Sequence, residues 1–188
     1  MQTWIILAIL AAAVIYLVAI FNRLVRQRNL VREGWSGIDV QLKRRTDLVP
    51  NLVEAVKAYA AHERAVLAEV TAMRASSMAA SDVGSQASAE RGLQASLGKL
   101  LAIAEAYPEL KADKNFLDLQ EQLAGIEDQL QMARRYYNGT VRNLNIAVQS
   151  FPSNLLAGLL GFREQPYFEL DDRSEAAAPR IAFQALKS

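Results

Sequence analysis

The chain has 188 residues, with 21 Lys and Arg against 20 Asp and Glu and a formal charge of +1. That balance excludes a general nucleic-acid binder, which needs a clear basic excess or patch, so no nucleic-acid partner is expected. There is no Cys and one His, which excludes disulfides, zinc fingers, Cys nucleophiles and a His-rich metal site; no metal or other cofactor is expected.

Residues 4–21 are an apolar run of 18 with no charge inside it. At 1.5 Å per residue the run covers about 27 Å, close to a hydrocarbon core of about 30 Å. It is too long for a signal-peptide core and lacks both a basic leader and a small-residue cleavage site, so residues 1–21 read as an uncleaved membrane anchor. Arg23, Arg26, Arg28 and Arg32 follow the run, and no basic side chain precedes it. The positive-inside rule then predicts a single-pass protein with its N-terminus outside and its C-terminal domain in the cytoplasm. The same arginines could also touch anionic lipid; the plainer reading is that they only set topology.

Beyond the anchor the period is helical. Val31, Trp35, Ile38, Leu42 and Val49 form one stripe, so the anchor is expected to run straight into the first helix of the domain. Pro50 is expected to end or kink that helix, because the residue before a proline resists the α region, and Asp47 would then cap a second helix. The second helix carries Leu52, Val53, Val56, Tyr59, Val66, Leu67, Val70 and Met73 and fades at Ser76–Ser77. The Ser-, Ala- and Gly-rich residues 78–89 read as a linker. A third helix is predicted from Ala89 through Leu93, Leu97, Leu100 and Leu101 until Tyr107 and Pro108 stop it. The fourth pattern is the clearest. Phe116, Leu119, Leu123, Ile126, Leu130, Ala133, Tyr137, Val141, Leu144, Val148 and Phe151 follow steps of three and four. The period does not falter at Asn138–Gly139, so a continuous helix is expected there, closed by Pro152.

No run alternates with period two over a useful length, Pro166 to Leu170 being the single candidate, and no β-sheet is expected. The expected fold is all-α: a single N-terminal transmembrane helix continuing into an antiparallel bundle of about four long helices. Domain limits fall at 1–21 for the anchor, 22–162 for the bundle and 163–188 for a C-terminal tail, partly disordered, with little to bury after Ser174. The apolar stretch 155–162 could cover the bundle end, enter the bilayer or meet a neighbouring subunit.

Three ordered blocks carry a resemblance. They are FNRLVRQRNLVREGWSGIDVQLKRRTDLVPNLVEAVKAYAAHE over 21–63, AEAYPELKADKNFLDLQEQL over 104–123, and ARRYYNGTVRNLN over 133–145 with Phe151–Pro152 and Tyr167–Phe168–Glu169 after it. Together they resemble the LemA family from the membrane span to about residue 170. Gly34 stands where the family usually has Ala, and Phe21 where it often has Tyr. The resemblance implies a bacterial inner-membrane protein with an N-terminal membrane helix and a long helical bundle. It brings no catalytic residues. Family members often accompany membrane proteins of protease type, which implies a partner or scaffold role.

The remaining candidates are surface chemistry. Asp39, Lys43, Arg44 and Arg45 could bind a partner or phosphate; the plainer reading is i,i+4 pairing such as Asp39 with Lys43. His62 and Glu63 complete the candidate interaction set. No Glu stands three residues before His62, so the bundle metal pattern is missing, and no phosphate loop, nucleophile elbow or HExxH sequence is present. Tyr107–Pro108 reads as a corner between helices. Asn51, Asn138, Asn143 and Asn145 lie on or near inner stripes, where buried Asn fixes helix register. Ala8, Ala11, Ala12, Ala13 and Ala19 permit close approach of neighbouring spans. The expected function is a non-enzymatic, membrane-anchored scaffold. Its expected partners are the lipid bilayer, further copies of itself as a homo-oligomer with coiled-coil-like helices, and a partner membrane protein. The alternatives are a lipid-binding or membrane-shaping protein and a regulator of a membrane protease.

Overall fold

The computed structural model describes residues 1–169. The expectation of disorder after Ser174 lies outside them. The elements are α1 (Gln2–Tyr59), α2 (Arg64–Ala79), α3 (Val83–Glu105), α4 (Pro108–Lys111), α5 (Lys114–Gln149) and α6 (Ser153–Leu159), with no strand among the described residues. The fold is all-α, as the periodicity predicts.

Residues 2–19 of α1 are exposed throughout, and this stretch is long and apolar enough to cross a membrane. The same helix then enters the bundle without a break. Its partner α5 runs antiparallel beside it: Gly34 faces Tyr137, Arg45 reaches Glu127, and Leu24 shares a buried cluster with Ala147. From the far tip the chain reverses into α2, returns in α3, turns at Tyr107–Pro108 and descends in α5. Among the described residues, three apolar clusters follow α1 in turn. The tip cluster joins Leu52 and Val56 to Leu93, Leu97, Leu100 and Phe116. The middle cluster joins Ile38 and Leu42 to Leu130, Tyr137, Val141 and Phe168. The third joins Ile20 and Leu24 to Ala147, Ala157 and Phe162. Each fully buried side chain of this kind contributes about 1.5–3 kcal/mol.

Several boundaries differ from the sequence reading. Pro50 neither ends nor kinks α1 into two elements; it lies inside it. A proline frees the carbonyl four residues back, here that of Thr46, and Arg74 Nε from α2 donates to that oxygen at 2.7 Å. Asp47 is therefore no cap; it is helix interior and pairs with Lys43 at 3.0 Å. The real break comes after Tyr59, where no Gly or Pro marks it. Leu67 and Val70 reach the tip cluster beside Val56 only if the chain reverses at residues 60–63.

The linker is short. α2 continues to Ala79 and α3 starts at Val83, because Asp82 caps it. The Asp82 carboxylate accepts from the amides of Gly84 at 2.9 Å and Ser85 at 3.0 Å. Ser85 Oγ accepts from the Asp82 amide, completing a capping box. The Ser85 hydroxyl, bonded to the carboxylate, holds Asp82 below the usual carboxylate range. α5 begins similarly, with the Phe116 amide donating to Asp113 and lowering that carboxyl. It ends at Gln149, so Phe151 lies outside it, and it passes Asn138–Gly139 unbroken.

Candidate functional site

The end of the α1–α5 pair next to the apolar run gathers the four basic candidates of the sequence. Arg23, Arg26, Arg28 and Arg32 are all exposed there. Arg23 lines a cleft of about 140 Å³ with Tyr16, Ile20, Phe151, Pro152 and Ser153. The Arg28 guanidinium lies 4.9 Å from the Phe162 ring centroid, a cation–π distance. Phe162 also meets Phe21 edge to face at 6.3 Å. Arg32 borders a groove of about 270 Å³ with Trp35, Asp82, Tyr137 and Gln165.

Residues 163–169 lie along α5 as an extended strap. Asn145 and Gln165 bond reciprocally: Asn145 Nδ2 donates to the Gln165 carbonyl at 3.0 Å, and the Gln165 amide donates to Asn145 Oδ1 at 2.9 Å. Asn138 treats Phe168 in the same way, at 3.1 and 2.9 Å. The match is geometric. Seven helical residues rise about 10.5 Å, and three extended residues cover about 10 Å. Between the clamps the Tyr137 hydroxyl donates to the Pro166 carbonyl at 3.0 Å, and burial raises the Tyr137 pKa. Phe168 is fully buried against Trp35, with ring centroids 5.7 Å apart. Asn138 and Asn145 thus fix the strap rather than the register between helices, while Asn51 and Asn143 are exposed.

The second candidate set is dispersed. Asp39 and Lys43 border a small cleft with Ser77 and Gln86, and the pair expected between them gives way to Lys43–Asp47. Arg44 borders an open groove of about 610 Å³ between α1 and α5, with Asn51, Gln122, Gly125 and Gln129. His62 is exposed at the reversal, and Glu63 precedes α2. By helix rise these two stand about 50 Å from the arginine cluster. Arg45 leaves the surface altogether. It is 1% exposed, with Nη1 3.1 Å from Glu90 of α3, itself fully buried, and Nε 3.0 Å from Glu127 of α5.

Glu90 also accepts from Ser77 Oγ and from Gln86 Nε2, the latter at 2.9 Å. Desolvation raises the Glu127 pKa although Arg45 opposes it, and the charge of Glu90 adds to the rise. The sequence offers no local signal for this network, since its members lie on separate turns of several helices. The strap had a partial signal: Asn138 and Asn145 repeat at seven on the inner stripe of α5.

The LemA family model matches residues 34–183. The chain is 25% identical to magnetosome protein MamQ of Magnetospirillum gryphiswaldense, over 85% of this chain and 71% of that protein. It is 24% identical to magnetosome protein MamQ 2 of Paramagnetospirillum magneticum, over 79% of this chain and 64% of that one. It is 26% identical to protein LemA of Metamycoplasma hominis, over 80% of this chain and 69% of that one. The chain therefore spans between 64% and 71% of the length of these relatives.

Proposed function

The chain belongs to the LemA family, and from that premise we infer that it is a membrane-anchored helical scaffold that self-assembles or docks partner membrane proteins, without catalysis. The observation that carries this reading is α1: one unbroken helix joins an exposed apolar stretch to the packed bundle. A stretch of 18 apolar side chains left in water is an aggregation hazard; in a bilayer it is an anchor. The four exposed arginines after it favour a cytoplasmic bundle and a bacterial inner-membrane location. The open α1–α5 groove offers a surface for a second helix. Neither relative's name, LemA or magnetosome protein, denotes a reaction.

The test is cross-linking of the full-length protein in native membranes, followed by electron microscopy of the solubilised species. The expected result is an adduct with itself or with another integral membrane protein, and particles larger than one chain. A monomer at every concentration, with no adduct, would overturn the scaffold reading. Protease added to intact spheroplasts should leave the C-terminus untouched; its removal would reverse the orientation.

A further inference from the structure

Among the described residues, nothing covers the outer face of α6, which presents Leu155 and Leu159. Phe151, just ahead of it, is 81% exposed, Leu155 66% and Leu159 82%. Leu155 and Leu159 stand one helical turn apart, and buried Ala157 lies between them on the opposite side. That inner side packs on α1: Ala157 and Phe162 cluster with Ile20 and Leu24.

The height of α6 along α1 decides what the outer face meets. Phe151, Pro152 and Ser153 share a cleft with Tyr16 and Ile20, both within the apolar run. From Tyr16 to the end of that run at Phe21, α1 rises about 8 Å. Interfacial helices bury an apolar face about 5–10 Å into the headgroup–acyl boundary. The exposed Arg23 and Arg26 lie at the polar edge of the same zone, where they complement anionic headgroups.

We propose that α6, with Phe151, is an interfacial foot: its outer apolar face enters the headgroup–acyl boundary of the leaflet next to the bundle. The proposal rests on the reading of α1 as a membrane span. Its occupant is lipid because the face continues the apolar surface of α1 at the same depth. The foot would set how deeply α1 sits and how the bundle stands on the surface.

The chain has no Cys, so single cysteines can be introduced as Leu159→Cys, Leu155→Cys, Leu10→Cys and His62→Cys. Each is labelled with a fluorophore in the full-length protein and reconstituted in phosphatidylcholine–phosphatidylglycerol vesicles. Nitroxide lipids quench from either high or deep on the acyl chain. The expected result is strong quenching at Leu159 and Leu155 by the shallow nitroxide, several-fold above that at His62. Leu10 should respond best to the deep nitroxide. Quenching at Leu10 with none at Leu159 or Leu155 would overturn the foot and leave the span standing. No quenching at Leu10 would overturn the span and the foot with it. Labels at both α6 positions shielded from aqueous iodide yet untouched by either lipid would mean that protein, such as a second copy, covers the face, and would also overturn the proposal.

Discussion

Asn145 satisfies both the donor and the acceptor of one backbone unit at Gln165. Asn145→Ala removes both partners at once, and an unmade hydrogen bond in a partly buried site costs about 1–3 kcal/mol. The expected outcome is a loss of that size in denaturant unfolding of the full-length protein, with faster hydrogen exchange at the Gln165 amide than at Phe168. Two glycines on α1 should respond in opposite directions. A Cβ at Gly34 would stand 3.0 Å from the Tyr137 Cα, where backbone has to move. Gly34→Leu should therefore cost about 1–3 kcal/mol by overpacking. Gly37 faces open space, so Gly37→Ala should stabilise by about 0.5–1 kcal/mol through helix propensity. Paired thermal melts of the two variants check both signs.

α1 keeps its helix across Pro50 because α2 completes the hydrogen bond that proline cannot. Arg74→Ala should leave the Thr46 carbonyl without its charged donor and cost about 1–3 kcal/mol. In a Pro50→Ala background the backbone regains an amide at position 50 that can donate to that carbonyl, so the same Arg74 substitution should cost less. A double-mutant cycle on unfolding free energies measures the difference; additive effects would refute the coupling. Element by element, legibility follows the range of the forces that decide each feature. The seam of α5 and the apolar run are local patterns, and both were readable from spacing. The passage through Pro50 depends on Arg74, far along the chain on another helix. The reversal after Tyr59 depends on where Leu67 and Val70 find neighbours. The start of α3 was readable in principle, since Asp82 and Ser85 stand at capping-box spacing, but the Ser- and Ala-rich composition around them pointed to a loop. At the candidate site, the arginine cluster was plain in the sequence. The burial of Arg45 and the strap were not, because each joins residues distant in the chain.

Across the whole molecule, the Arg45–Glu90–Glu127 network ties α1, α3 and α5 together at mid-height. Removing one member of a buried pair leaves an uncompensated charge, so Arg45→Met should cost about 3–5 kcal/mol, read from denaturant midpoints. The network also shapes pH dependence. Glu127 has a folded pKa raised above its ordinary value of 4.5, chiefly by desolvation. From that ordinary value upward to the raised one, the folded state binds more protons than the unfolded state, so this residue's contribution to stability falls as pH rises. Glu127→Gln should flatten that decline in unfolding free energy measured across the mildly acidic range. The continuity of α1 has a mechanical meaning as well. Its tip at Tyr59 stands about 57 Å beyond Phe21 by helix rise. With α1 spanning a bilayer as proposed, a rod of that reach turns a tilt change of about 10° into a sweep of about 10 Å at the tip. On that proposed reading, bilayer thickness and packing around the span become displacement at the far end of the bundle, with the membrane as the pivot of a lever.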